Sequence, residues 1–257
     1  MLSSKTWGIL GGVAALAYVS KAAPDGSVFY ATSPTYILTS ILLKPENGYD
    51  ALDPVANIFQ HPEVIFTRAD SPSKTLKEAF DQARKNAGKS HWGAAACPLE
   101  RAALERIARK QNLKVTVVSN MDRVDIIANV LNGSIEIAIG EVQAVEALLQ
   151  AGKIRNLAAL TQNRLPFLPN VPTTHEQGVT VIVRKFRGLA GPKGIPPLTT
   201  TRIGAGLARL LEAEDYRDAY SKSNLRPAYM GPSDTGKFIA NFAVELTESM
   251  SELRELK

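Results

Sequence analysis

The feature of this chain that most constrains its fold is a regular alternation of two kinds of segment between residues 64 and 160. Short apolar runs, typical of buried strands, are each followed by a segment with apolar residues at helical spacing, and short turns separate them. Strands that are joined through helices form right-handed crossovers, in which successive strands are parallel. The pattern therefore predicts an α/β fold with mainly parallel sheets.

Local signals predict where several of the helices begin and end. The segment Thr75-Leu76-Lys77-Glu78 is a capping box, which predicts that a helix begins there and continues until Gly88. Pro98 is expected at the first position of a later helix, because its missing N–H would have no intrahelical partner. Gly133 is expected to end the helix after that.

A turn of small residues follows the predicted strand Lys89 to Trp92 and leads into the helix expected at Pro98. Small side chains allow a ligand to approach the backbone closely. The first N–H groups of a helix lack intrahelical partners, and the helix dipole favours a negative charge beside them. The candidate contacts for a small carboxylate at this first corner are Ala94, Ala95, Ala96 and Cys97.

A second corner of the same kind follows the predicted strand Lys114 to Val118, and Ser119 or Asn120 is expected to cap the next helix. Ligands of parallel sheets bind at the carboxyl ends of the strands, so the two corners should lie side by side. The candidate contacts from this corner are Ser119, Asn120, Met121 and Asp122.

The segments on either side of this region contain further elements. Ser27 to Ala31 is a predicted strand, and the polar residues Thr32 and Ser33 follow it before a helix over Tyr36 to Leu43. The Gly- and Pro-rich stretch Gly188 to Pro197 is typical of a boundary or hinge. Helices are then predicted over Thr199 to Ala213, Glu214 to Ser223 and Ser233 to Leu256.

Composition excludes several classes of function. The 257 residues include 45% hydrophobic and 21% charged residues, as in ordinary globular proteins, with a formal net charge of +5. The basic residues are scattered, which argues against nucleic acid as a partner. One Cys permits no internal disulfide, and three widely spaced His residues show no metal-ligand spacing. We expect no cofactor, no metal, no membrane-spanning segment and a monomeric protein.

The apolar stretch Trp7 to Val19 allows two interpretations. It follows Lys5 and precedes small residues, so it could be a signal peptide. Its weakly charged start and the pair Gly11-Gly12 are unconvincing for a signal. We favour a glycine turn that opens a buried helix from Gly12 to Ala22.

A series of short segments, in its order and spacing, resembles the periplasmic solute receptors of tripartite tricarboxylate transporters, the Bug/TctC family. The resemblance extends from about Gly11 to the C-terminus. Each segment is weak evidence alone, but the set is specific. The segments are Lys21 to Gly26, Tyr49-Asp50 with Pro54 to Ala56, Ser73 to Glu78, Gly88-Lys89, Leu131 to Gly133, Ala151 to Ala158, Pro169 to Thr173 with Glu176 and Gly178, and Gly188 to Pro192.

This resemblance implies a two-lobed α/β fold of the periplasmic-binding-protein type (type II), with a ligand held between the lobes. Residues 1–60 with 186–257 would form the first lobe and residues 61–185 the second. The crossing strands would be Val55 to Phe59 and Lys185 to Ala190.

The resemblance also implies a function. The chain would be a periplasmic, non-enzymatic receptor for a small organic carboxylate, often a dicarboxylate in this family, and a membrane transporter would be its partner. Family members hold their ligands by backbone amides, hydroxyls and bridging waters. The contacts would come from Thr32 and Ser33, from Ala94 to Cys97, and from Ser119 to Asp122.

Departures from the family pattern leave two alternatives open. The chain lacks the first strand, helix and strand of the family, so its first lobe is expected to be incomplete. Ala94 to Glu100 replaces a Gly- and Ser-rich turn followed by His, and Val118 to Met121 replaces Pro-Tyr-x-Gly. A shortened homologue without a transport role, acting as an interaction or orphan protein, would explain both departures. An enzyme that uses Cys97 as nucleophile is the weaker alternative, since no convincing His partner is evident.

Overall fold

The computed structural model describes residues 12–95, 98–222 and 225–254. The chain divides into two compact units, which we call unit 1 (Met1–Gln60 with Lys185–Lys257) and unit 2 (His61–Arg184). In chain order the elements are α1 (Val13–Ser20), β1 (Tyr30–Thr32), α2 (Pro34–Leu43), a single 3-10 turn (Tyr49–Ala51), β2 (Leu52–His61), β3 (Glu63–Arg68), α3 (Leu76–Lys85), β4 (Ser90–Ala95), α4 (Pro98–Lys110), β5 (Val115–Met121), α5 (Arg123–Asn132), β6 (Ile137–Glu141), α6 (Val142–Gln150), β7 (Ile154–Ala159), β8 (Lys185–Pro192), α7 (Pro197–Glu212), α8 (Glu214–Lys222), β9 (Arg226–Met230) and α9 (Pro232–Arg254).

The sheet of unit 2 has five strands in the order β5-β4-β6-β3-β7. β4 is parallel to both β5 and β6, as predicted, but β3 is antiparallel to both β6 and β7. The expectation of a mainly parallel sheet is therefore wrong, because β3 begins at Glu63 opposite Glu141, the last residue of β6. It enters the sheet at the end where β6 leaves it, so it must run in the opposite direction.

The sheet of unit 1 has four strands in the order β1-β8-β2-β9. β1 is antiparallel to β8, and β9 is antiparallel to β2 with a register shift between Asn57 and Phe59. β9 was not predicted, because its sequence contains Pro227 and shows no alternation of apolar and polar residues; all of its residues are at least partly exposed. Those properties are typical of an edge strand. The α/β assignment is confirmed, with mixed sheets in both units.

The helix starts follow the predicted signals closely. The Thr75 Oγ1 accepts a hydrogen bond from the Glu78 N–H at 3.1 Å, and the Glu78 Oε2 accepts one from the Thr75 N–H at 3.3 Å. This capping box is therefore confirmed at both bonds. α3 ends at Lys85 with Asn86 as its C-cap, earlier than the predicted stop at Gly88. Gly133 caps α5 in the left-handed conformation, with φ of 84°, as predicted.

Two apolar clusters bury the two faces of the sheet in unit 2. One contains Phe80, Trp92 and Ile65, and the other contains Phe66 and Ile126. Adjacent residues of β3 belong to different clusters, as the alternation of side chains along a strand requires. The strands are thus held from both sides, which fixes where their ends lie.

In unit 1, α1 begins after Gly12, whose φ is 85°, and Leu16 and Val19 are buried. The described part of the first segment is therefore helical, as favoured from sequence. No helix among residues 12–95, 98–222 and 225–254 is both long and apolar enough to cross a membrane.

The capping box gives a test of the local stability of unit 2. Thr75→Ala removes the acceptor for the Glu78 N–H and should lower the free energy of unfolding by about 1 kcal/mol. Thr75→Ser keeps the acceptor and should stay within a few tenths of a kcal/mol of the native value. Urea titration followed by circular dichroism measures both. Equal losses in the two variants would contradict the role of the Thr75 hydroxyl.

Candidate functional site

The two predicted corners lie at one edge of the sheet in unit 2. β4 and β5 are adjacent and parallel, and their last paired residues are Ala95 and Met121. α4 and α5 begin directly beyond these strand ends. The expectation that the two corners lie side by side is therefore supported by the register of the strands.

Both strands extend further than predicted. Ala94 and Ala95 belong to β4 rather than to a turn, and Ser119, Asn120 and Met121 belong to β5 rather than to a loop. The physical reason is that ladder pairing continues to the end of both strands, with one extra residue of β5 between the Gly93–Val118 and Ala95–Met121 pairs. Such a bulge is common beside functional sites.

The side chains at the end of β4 leave little free space. Ala94 is fully buried and Ala95 is half-buried. A Cβ added at Gly93 would lie 3.0 Å from the Ile135 Cδ1 and 3.1 Å from the Ile126 Cγ2. Ala96 and Cys97, two of the candidate contacts, lie outside the described residues.

A carboxylate of the chain itself occupies this corner. Glu100, in the first turn of α4, is 1% exposed, and its Oε2 accepts a hydrogen bond from the Ala95 N–H at 3.1 Å. Glu100 was not among the predicted residues, although an acidic side chain at the third position of a helix often reaches back to a backbone N–H before the helix. One of the amides predicted to meet a ligand is therefore already paired.

At the second corner the helix cap is Asp122, not Ser119 or Asn120 as predicted. The Asp122 Oδ1 accepts a hydrogen bond from the Asp125 N–H at 2.9 Å. Ser119 cannot act as the cap because its backbone belongs to β5, and the helix begins only at Arg123. Asp122 itself is exposed, and Ser119 is half-buried.

An ion pair places a guanidinium and a carboxylate at this edge. The Arg123 Nη1 donates to the Glu141 Oε2 at 3.2 Å, and the Arg123 side chain is 42% exposed. Arg123 is the first residue of α5, and Glu141 precedes α6. Arg123 was not among the predicted residues; it lies two residues after the end of β5. Its guanidinium is a suitable partner for a carboxylate.

Unit 1 contains its own strand-to-helix corner, between β1 and α2. Thr32 ends β1, is 2% exposed and pairs with Gly188 of β8. Ser33 is the N-cap of α2, is half-buried, and its side chain makes no capping hydrogen bond. Pro34 occupies the first turn of the helix. The hydroxyl of Ser33 is thus not used by the helix that follows it.

The chemistry of these corners is that of binding. They provide backbone amides, hydroxyl groups, carboxylates and one guanidinium. Within the described ranges, no group of three or more His, Cys, Asp and Glu side chains is placed to hold a metal ion.

The comparisons with known proteins agree with this picture. The family described as tripartite tricarboxylate transporter family receptor matches residues 8–251. A Cupriavidus necator protein, described as the UPF0065 protein in the gbd 5′ region, is 24% identical over 232 residues, which are 90% of this chain and 71% of that protein.

Solved structures show the same fold. A TctC solute-binding protein from Polaromonas superposes with a TM-score of 0.82 at 22% identity, covering 94% of this chain and 83% of that one. Two proteins from R. palustris superpose with TM-scores of 0.78 and 0.71 at 22% and 21% identity. The first, solved with adipate, covers 93% of this chain and 82% of its own. The second, solved with malate, covers 93% and 84%.

The chain belongs to the tripartite tricarboxylate transporter receptor family. The members of this family are periplasmic solute-binding receptors rather than enzymes, so the predicted class of protein and its periplasmic-binding-protein fold are confirmed. Membership of this family therefore gives no support to an enzyme that depends on Cys97.

The close packing around Gly93 gives a test of how firmly the first corner is held. Gly93→Ala should lower the free energy of unfolding by about 1–3 kcal/mol, because the new methyl group presses on Ile135 and Ile126. Ile135→Val in the same chain removes the nearest atom and should restore part of the loss. Urea titrations of the three chains measure these changes.

Gly206→Ala is the matched control, because a Cβ at this position in α7 meets nothing within 4 Å. This variant should be as stable as the native chain or up to about 1 kcal/mol more stable. If Gly93→Ala were equally harmless, β4 would not be held by this packing.

Proposed function

We propose that the protein is a receptor that binds a small organic carboxylate for uptake by a transporter of the tripartite tricarboxylate type. The observation that carries the proposal is the adjacent pair of strand ends at Ala95 and Met121, with two helices starting beside them. Helix starts after parallel strands are favourable places for an anion. The family and the neighbours solved with adipate and malate support the ligand class.

The binding residues in this proposal are those predicted from sequence. In unit 2 they are the backbone around Ala94 to Cys97 and from Ser119 to Asp122. In unit 1 they are Thr32 and Ser33, whose corner is built in the same way. Arg123 joins them as a side chain able to pair with a carboxylate. A periplasmic location and a membrane-embedded partner complete the proposal and follow from the family.

A panel of acids tests the binding function directly. A ligand that binds only the folded protein raises its melting temperature. We expect at least one mono- or dicarboxylate at millimolar concentration to raise it, and isothermal titration calorimetry to give a finite Kd for the same acid. Absence of any shift across the panel would contradict the proposal.

Adding a charge of either sign beside the second corner tests where the acid binds. Val124, the second residue of α5, is 74% exposed, so it tolerates a charged side chain. Val124→Lys should tighten acid binding and Val124→Glu should weaken it, each by roughly threefold to tenfold, since an added charge near the ligand acts by Coulomb attraction or repulsion. Both effects on the Kd should be smaller at high salt, because salt screens the interaction between charges.

The control is the same pair of substitutions at Val244 on α9 of unit 1, which is 58% exposed. Val244→Lys and Val244→Glu should leave the Kd unchanged. If the Kd of the acid did not change with the charge at residue 124, the site would lie away from the end of β5.

A further inference from the structure

The end of β4 already holds a carboxylate, and it belongs to the chain. Glu100 is 1% exposed, and its Oε2 lies 3.1 Å from the Ala95 nitrogen. A backbone N–H has one hydrogen to donate. While Glu100 accepts it, the Ala95 amide is not available to a guest, although it is the last described donor of the strand that leads into the proposed site.

Glu100 also brings a negative charge to this corner. At buried positions the interaction between two charges a few Å apart is large enough to change an equilibrium constant by tenfold or more. A guest that placed a second carboxylate beside the end of β4 would be repelled. A hydroxyl group at the same place would not be repelled.

The neighbouring corner contains a cation beside the carboxylates of Asp122 and Glu141. There Arg123 presents a partly exposed guanidinium, which is tied to Glu141 through Nη1. A single ligand carboxylate has a suitable partner at the end of β5, whereas a second one meets Glu100 at the end of β4.

We propose that Glu100 sets the ligand class of the site by standing in for one ligand carboxylate at the Ala95 amide, so that the receptor selects acids with a single carboxylate and a neutral polar group at the other end over dicarboxylates. The inference rests on the proposed function. It makes Glu100 a specificity-determining residue, which acts by occupying the Ala95 amide and by its charge.

Stability alone cannot test this role. A carboxylate in the first turn of a helix stabilises that helix in any protein, so loss of Glu100 should lower the melting temperature whether or not it selects the ligand. A purely structural role of Glu100 would leave the ratio of the Kd values for two acids unchanged. This ratio is therefore the quantity to measure.

The probes are adipate and ω-hydroxyhexanoate, which have the same chain length and differ in one terminal group. Their Kd values are measured by calorimetry for the native chain, Glu100→Gln, Glu100→Ala and the control Glu105→Gln. Glu105 lies on the same helix, where it accepts a hydrogen bond from Arg101 at 2.6 Å.

The native chain should prefer ω-hydroxyhexanoate. Glu100→Gln, which keeps an acceptor but loses the charge, should tighten adipate binding by about tenfold and change the hydroxy acid little. Glu100→Ala, which also frees the Ala95 amide, should tighten adipate binding further. Glu105→Gln should leave both Kd values unchanged. Because Glu100→Gln is isosteric, it carries the test if Glu100→Ala fails to fold.

Each other outcome is decisive. If both acids bind and the ratio of their Kd values is the same in all four proteins, or if the native chain prefers adipate, the role of Glu100 is overturned while acid binding stands. If adipate binds only the Glu100 variants, the role of Glu100 is supported. If no folded protein of the four binds either acid, the role of Glu100 is overturned, and the wider panel of acids decides separately whether the chain is a receptor.

Discussion

The parallel pairing of β4 with β5 is the constraint on which the candidate site depends. The pairing begins at Ser90 and Val115 and continues to Ala95 and Met121. It makes both strands end at one edge, and therefore makes α4 and α5 begin at that edge. Any slip of this register would separate the two corners, since each residue of a strand advances the chain by about 3.3 Å.

The extra residue of β5 between its last two pairs with β4 determines which residue caps α5. Because β5 uses three residues where β4 uses two, Ser119 and Asn120 are drawn into the strand and the helix starts at Arg123. The side chain of Asp122 is then left at the position that can accept from the Asp125 N–H. A local bulge therefore decides the identity of the cap, and with it the charge at the second corner.

Features of this chain that depend on a few adjacent residues were predicted correctly. Features that depend on pairing between distant strands were not. The capping box at Thr75, the helix start at Pro98 and the left-handed cap at Gly133 each depend on a few adjacent residues, and all three were predicted. The direction of β3 and the presence of β9 depend on strands far away in the sequence. No local pattern encodes such pairing, so single-sequence reasoning missed both.

The positions of the two corners were predicted, but the hydrogen bonds at them were not. The alternation of strands and helices was enough to place the corners at one edge. The Ala95 amide was expected to be free, whereas Glu100 accepts its hydrogen bond, and Asp122 caps α5 where Ser119 or Asn120 was expected. Whether a carboxylate reaches an amide depends on the path of the backbone between strand and helix, which sequence spacing alone does not determine.

This division explains how a receptor can keep the family fold while its ligand class changes. The apolar clusters around Trp92 and Phe66 hold the strands from both faces, and substitutions there would cost stability. The polar side chains of Glu100 and Arg123 are not part of these clusters. Under the proposed function, exchanging either of them for another polar residue changes the charge that a guest meets and leaves the apolar clusters in place. The family scaffold then fixes the fold, and these corner side chains select the acid.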